Sequence, residues 1–130
     1  MILSVIIPAY NEEKYIADTL SEVYSLSFPA VIEKTEVIVV DDCSKDSTAD
    51  ILKEQKAKYP ELIIHRNEKN LGKGASVKKG FELSHGDLIF IQDADSELSP
   101  ADIPRMLNVM LDLKIEFVNG SRYLPGIVRP

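Results

Sequence analysis

Apolar residues gather in short runs along the chain, at Leu3 to Ile7, Val37 to Val40, Leu62 to Ile64, Leu88 to Ile91 and Phe117 to Val118. Runs of this length predict strands, and helical periodicity fills most of the gaps between them. Ile16, Leu20 and Val23 recur at spacings of four and three, and Ile103, Leu107, Met110 and Leu111 define a second such face. Ser44 or Asp46 is placed to cap a helix running to about Tyr59. NLGKGASVKKG opens into a helix with Val77 and Phe81 on one face. Ser99, Pro100 and Asp102 mark another start, with proline at its favoured first position. Pro104 lacks the donor that an interior helical position requires, so a single turn is expected before the last helix proper.

Strands and helices that alternate in this way favour an α/β fold: a largely parallel sheet with helices on both faces, joined by right-handed crossovers. In such sheets ligands sit at the carboxyl ends of the strands. Pro8 to Glu12, Asp41 to Ser44 and Asp93 to Glu97 would all lie at that edge. No internal repeat or linker interrupts the pattern, so residues 1–130 read as a single domain.

At 130 residues with 45% hydrophobic content the chain suffices for one core. The net charge of -6 argues against a nucleic-acid partner, because phosphate backbones are bound through basic faces. The charge is uneven, however. Residues 53–79 carry 8 basic and 3 acidic groups, which leaves Lys73 and its neighbours as phosphate candidates once Lys53, Lys56 and Lys58 are assigned to a solvated helix face. The lone Cys43 excludes a disulfide framework and suits a reducing compartment. No apolar run approaches the roughly 18 residues that cross a bilayer, so a cytoplasmic location is expected, with membrane contact only through an acceptor or further segments.

Three motifs carry chemistry. In DLIFIQDADSELSP an apolar strand delivers Asp93 and Asp95 together, with Glu97 close behind. Residues two apart on a strand point to the same side, so the carboxylates can converge on Mg²⁺ or Mn²⁺ and leave coordination sites open for a diphosphate. In VIVVDDCSKDST adjacent carboxylates point to opposite sides of an extended strand, so one of Asp41 and Asp42 faces a ligand and the other ties down the turn. A carboxylate there can accept the ring N–H of uracil or guanine. In NLGKGASVKKG, glycines flank Lys73 at a helix start, a place that favours anions, although the pattern is neither a P-loop nor Gly-x-Gly-x-x-Gly. Each motif alone also reads as a capped turn or a tight loop. Their common position is what joins them.

Taken in order, SVIIPAYNEE, VIVVDDCSKDST, NLGKGASVKKG, GDLIFIQDADSELSP and VNGSRY resemble the family 2 glycosyltransferases of the GT-A fold, and most closely the polyprenyl-phosphate (dolichyl-phosphate) mannose and glucose synthases. The resemblance covers nearly the whole chain. It implies a Rossmann-like nucleotide-binding half in which Pro8, Ala9, Tyr10 and Glu12 frame the nucleoside, Asp42 meets the base, and Asp93 and Asp95 bear the metal. Glu97 stands where synthases of this type often have glutamine, and adds a negative charge. Arg122 matches an arginine that faces substrate phosphate, a task for which a guanidinium fork is suited.

The implied reaction is transfer of a sugar, with inversion, from a UDP- or GDP-sugar to a lipid phosphate or glycan acceptor. A lipid phosphate is already ionised and needs no general base. Family catalytic domains run longer than this chain, so the resemblance also implies an N-terminal part that lacks acceptor contacts and is inactive alone. Two other assignments share parts of the pattern. A nucleotide-binding fragment without turnover has the same donor-site motifs. A response-regulator receiver shares the acidic strand ends, but its paired acids end the first strand, and here SVIIPAYNEE precedes them.

Overall fold

The computed structural model describes residues 1–94 and 99–113. Four parallel strands, β1 (Ile2–Ala9), β2 (Lys34–Asp41), β3 (Ile63–Arg66) and β4 (Leu88–Ile91), form one sheet in the order β3-β2-β1-β4. Between them run α1 (Ile16–Ser25), α2 (Thr48–Lys58) and α3 (Lys73–Leu83), and α4 (Ile103–Leu113) follows β4. The four expected strands within the described residues form where the apolar runs lie, with β1 and β2 extending beyond theirs and β3 shifted toward its carboxyl end, from Leu62–Ile64 to Ile63–Arg66. The run at Phe117 to Val118 falls outside the described residues.

The strand order dictates where the helices go. From β1 to β2 to β3 the chain steps in one direction across the sheet, so right-handed crossovers put α1 and α2 on one face. From β3 to β4 it steps back past β2 and β1, and the same handedness puts α3 on the other face. The packing agrees. Leu3, Val5, Ile7 and Ala9 of β1, with Val37 and Val39 of β2, share one core with Ile16, Leu20, Val23, Leu52, Ile103 and Leu107. The alternate residues face α3, whose Gly80 lies so near Ile6 that an added Cβ would come within 2.4 Å of its Cγ2. Ser76 and Gly80 are the buried positions of α3, while Phe81 is 62% exposed, so the helix meets the sheet through its small residues. Burying an Ile, Leu or Val contributes roughly 1.5–3 kcal/mol, against about 1 kcal/mol for a typical net hydrogen bond. Apolar burial therefore sets the orientation of the strands, and polar contacts fix their ends.

Helix starts follow local chemistry. Asp46 accepts the amide of Thr48, the first residue of α2, at 2.9 Å, whereas the hydroxyl of Ser44 is taken by the amide of Asn11 at 2.9 Å. Of the two cap candidates Asp46 therefore serves the helix and Ser44 a neighbouring loop. Ser99 accepts from Ala101 and Pro100–Asp102 forms one 3₁₀ turn before α4, as the position of Pro104 requires. Tyr24 and Tyr59 stack at 4.0 Å between ring centroids, and the Tyr24 hydroxyl is pushed up to about 12 by burial and by the nearby Glu61 and Tyr59. Among the described residues no helix is long and apolar enough to cross a membrane.

At the amino ends of the strands a polar clamp holds the connection from α3 to β4. Buried Glu36 accepts from the Ser4 hydroxyl at 3.1 Å and the His85 amide at 3.1 Å, and its other oxygen lies 3.0 Å from His85 Nδ1. Burial pushes the Glu36 carboxyl up, but the bonds from His85 and Ser4 outweigh it and hold it below its ordinary value. The amide of Gly86 donates to Ser4 Oγ at 2.9 Å, and a Cβ there would lie 2.4 Å from that oxygen and 2.8 Å from the backbone of both Leu88 and Ser4. Backbone on two paired strands cannot give way. Gly86→Ala is expected to cost about 2–3 kcal/mol through overpacking and to lower the unfolding midpoint by roughly 5–10 °C. Circular dichroism on heating checks this, and an unchanged midpoint would refute the close approach.

Candidate functional site

The reversal of strand order falls between β1 and β4, and a crevice opens there at the carboxyl ends. Local pairing shows why. The oxygen of Ile6 accepts from Gln92 on the β4 side, and that of Ala9 accepts from Asp42 on the β2 side. Pro8, two residues on from Ile6, aims its nitrogen to the β4 side beyond Ile91, the last paired residue, so its missing N–H costs no ladder bond. β1 and β4 part at that point. A cleft of about 160 Å³ lies there, lined by Pro8, Ala9, Tyr10, Glu12, Asp42, Lys73, Ser76, Asp93 and Ala94.

The cleft thus gathers Pro8, Ala9, Tyr10, Glu12, Asp42, Lys73 and Asp93, every donor-site candidate within the described residues. Asp95, Glu97 and Arg122 lie outside the described residues. Ser76, Ala94 and Asn67 belong to the arrangement without having been singled out by sequence. Asn67 follows β3 as Asp42 follows β2, so its place at a strand end was the available signal. Ser76 and Ala94 carried none, being a small residue inside a helix and one between two acids.

The loops after β1 and β2 are stitched to each other. Asn11 gives its amide to Ser44 and takes the Lys45 amide on its side-chain oxygen at 2.8 Å, while the Glu12 amide donates to Thr48 Oγ1 at 2.9 Å. Glu13 accepts the Ser47 amide at 3.0 Å. Asn11 and Cys43 hold positive φ of 52° and 60°, a left-handed conformation that asparagine tolerates and cysteine adopts at a cost. Cys43 Sγ donates to the Glu68 oxygen at 3.6 Å.

Asp41 and Asp42 divide their tasks. Asp41 is fully buried, accepts the Ser44 amide at 3.0 Å and pairs with Arg66 at 2.9 Å, which ties the turn to the edge strand. Arg66 also donates to the Ser44 oxygen at 3.1 Å. Asp42 reaches the cleft with 3% exposure, accepting from Asn67 Nδ2 and the Leu71 amide on Oδ1 and from the Gly72 amide on Oδ2, each at 2.8 Å. Asn67 also donates to buried Ser76 at 3.1 Å. Asp42 thereby holds the loop that leads to α3, where Gly72 takes a φ of 95° that side chains rarely adopt. A carboxylate offers about four acceptor positions, so Oδ2 keeps one for a ligand. Burial pushes Asp42 up, yet bonds from Leu71, Asn67 and Gly72 outweigh it and hold the carboxyl below its ordinary range. At neutral pH it is an ionised acceptor.

Across the cleft Lys73, the first residue of α3, forms an ion pair with Asp93 at the end of β4. The oxygen of Ala94 accepts from Thr19 Oγ1 at 3.1 Å, which fastens this end of β4 to α1. Among the described residues the cleft holds Glu12, Asp42 and Asp93 against one lysine. Such a surface repels a bare diphosphate and attracts a cation. The ammonium of Lys73 already rests on Asp93, and among the described residues no group of three or more His, Cys, Asp or Glu side chains is placed to hold a metal ion.

The chain matches glycosyl transferase family 2 over residues 4–129. An uncharacterised protein of Methanocaldococcus jannaschii is 40% identical over 124 residues, covering 90% of this chain and 50% of that protein. Dolichol-phosphate mannosyltransferase of Pyrococcus furiosus is 33% identical over 130 residues, covering 97% of this chain and 34% of the enzyme. Among solved structures, residues 1–349 of S. aureus TarS in complex with UDP superpose with a TM-score of 0.70 at 30% identity, over 86% of this chain and 32% of that one. The mannosyltransferase PcManGT of Pyrobaculum calidifontis, in complex with GDP-Man and Mn²⁺, gives 0.67 at 27% identity, over 77% and 29%. The chain spans half or less of the length of each of these relatives.

Asp46 resembles Asp42 in its charge state: burial pushes it up, but the hydroxyl and amide of Thr48, the Glu13 amide and its own amide together hold it below the ordinary range. Stability from two such depressed carboxyls is fully present above the unfolded value near pH 4 and is lost as pH falls through their lower folded values. The unfolding midpoint is expected to stay level from about pH 7 to 5 and to drop below about 4. Asp42→Asn should begin lower at neutral pH and lose less on acidification. A loss as steep as that of the unmodified chain would contradict the role given to Asp42.

Proposed function

Because the chain belongs to glycosyl transferase family 2, we propose that the cleft between β1 and β4 is the donor site of a glycosyltransferase that takes a UDP- or GDP-sugar. The observation that carries this reading is the convergence of Pro8 to Tyr10, Glu12, Asp42, Lys73 and Asp93, from three strand ends and one helix start, on one cleft. Asp42 accepts the ring N–H of the base on the free position of Oδ2, a bond that uracil and guanine can supply and adenine, without a ring N–H at its Watson–Crick edge, cannot. Pro8, Ala9 and Tyr10 form the wall beside it. Lys73 meets the diphosphate.

Asp93, with Asp95 and Glu97 assigned by family resemblance, would hold Mg²⁺ or Mn²⁺, which supplies charge neutralisation on the departing nucleotide diphosphate. Binding at the strand ends leaves the sugar facing out of the cleft, where an acceptor attacks the anomeric carbon opposite the diphosphate and inverts it. The acceptor this reading favours is a polyprenyl phosphate, because relatives named for dolichol-phosphate and undecaprenyl-phosphate sugar transfer match 97% and 85% of the chain. Its phosphate oxygen is ionised at neutral pH and attacks without a general base. Arg122, assigned by resemblance, would meet a substrate phosphate.

Thermal unfolding with UDP, GDP or ADP, each with and without Mn²⁺, tests the donor site. Ligand at 100 times its dissociation constant adds about 2.7 kcal/mol, so the midpoint should rise by several degrees with UDP or GDP plus Mn²⁺ and not with ADP. Asp93→Ala should abolish the Mn²⁺-dependent part. Equal shifts with all three nucleotides, or none, would overturn the proposal.

A further inference from the structure

Asp42 enters the cleft with most of its acceptor capacity already used. Both acceptor positions of Oδ1 are filled, by Asn67 Nδ2 and by the Leu71 amide at 2.8 Å each, and one position of Oδ2 is filled by the Gly72 amide. These donors are held in place. An ionised carboxylate only accepts, so Asn67 has to present its nitrogen to Asp42. Asn67 is 6% exposed, spends its second Nδ2 hydrogen on the Ser76 hydroxyl, and gives its backbone amide to the Asp41 oxygen at 2.8 Å. The Leu71 and Gly72 amides belong to the turn in which Gly72 takes a φ of 95°. One position, on one oxygen, is left for a ligand.

Uracil and guanine place different demands on such a group. Guanine presents its ring N–H and its 2-amino group side by side, two parallel donors that a carboxylate answers with one open position on each oxygen. Uracil presents a single ring N–H between two carbonyl oxygens and asks for one position. Asp42 can give one and not two. To seat guanine on both oxygens, Asn67 or Leu71 would have to give up its acceptor, and a buried donor left unpaired lowers affinity by about tenfold. With guanine on Oδ2 alone, its 2-amino group would face the donors that already occupy Oδ1. We propose that the cleft selects uracil, so that the donor is a UDP-sugar, and that Asn67 is the positioning residue that sets this choice by occupying Oδ1 of Asp42. This rests on the donor-site reading and narrows it. Asn67 does the task without charge. Arg66 neutralises Asp41, one residue earlier on each strand, whereas the amide of Asn67 leaves Asp42 its negative charge for the ring N–H.

Isothermal titration with UDP, GDP and inosine diphosphate, all at one Mn²⁺ concentration, isolates the base, because the three share ribose and diphosphate. Inosine diphosphate keeps the ring N–H of guanine and lacks the 2-amino group. The unmodified chain should bind UDP about tenfold more tightly than GDP, and should bind inosine diphosphate no more weakly than GDP. Asn67→Ala opens a position on Oδ1. It should therefore raise the affinity for GDP relative to inosine diphosphate by about three- to tenfold and shrink the preference for UDP. A mere loss of order in the loop would weaken all three nucleotides together and leave their ratios unchanged. If the unmodified chain binds GDP as tightly as UDP, or clearly more tightly than inosine diphosphate, the uracil assignment is overturned and the donor site stands. Unchanged ratios in Asn67→Ala, with its fold confirmed by circular dichroism, would remove Asn67 from the role. If none of the three nucleotides binds, the donor-site reading falls with the inference.

Discussion

β1 pairs with β2 on one side and with β4 on the other, and the chain reverses its direction of travel across the sheet at this strand. Both of its faces must then be covered by helices, which is why Leu3, Val5, Ile6 and Ile7 are all sealed from solvent. The same reversal sets the cleft at the carboxyl ends, between β1 and β4. Pro8 marks the place, because a residue without an N–H is tolerated there only if no neighbouring strand asks for one. The position of the cleft is thus a consequence of topology.

Topology makes a gap, and polar contacts give it a shape. Buried Asp41 fixes the turn after β2 to the edge strand through Arg66, while Asp42 spends three bonds on the path into α3 and keeps one acceptor position for the cleft. Asn11 and Ser44 lock the loops after β1 and β2 together from both sides. Groups that face a ligand are therefore held by neighbours that do not. That division keeps a cluster of carboxylates in place, and it leaves the Lys73–Asp93 pair as an exposed contact across the cleft.

Much of this was legible in the sequence because the apolar runs and the helical spacings agree with each other. Ile16, Leu20 and Val23 form the buried face that their spacing predicts, and the Ser99-Pro100 start with one turn before Pro104 follows from proline chemistry alone. The motifs at the strand ends announced the cleft by position. What escaped was set by tertiary contact. Val77 and Phe81 share a helical face, but α3 turns Ser76 and Gly80 to the sheet, because Ile6 leaves no room for anything larger and that choice has no signature in local spacing. Asn67 was overlooked because a short edge strand hides its own end, and only the fold shows it bridging Asp42 and Ser76. Strand spacing alone left open which of Asp41 and Asp42 faces the cleft and only the family resemblance pointed to Asp42; pairing with Arg66 is what withdraws Asp41.

The most direct test of the account is paramagnetic broadening of amide signals in the ¹⁵N-labelled chain when Mn²⁺ is added together with UDP or GDP. The account predicts broadening centred on Asp93 and Ala94 that reaches Ala9, Tyr10 and Lys73 and fades toward Glu36 and His85 at the opposite edge of the sheet. Broadening centred on the opposite edge, or spread evenly over the acidic surface, would contradict it.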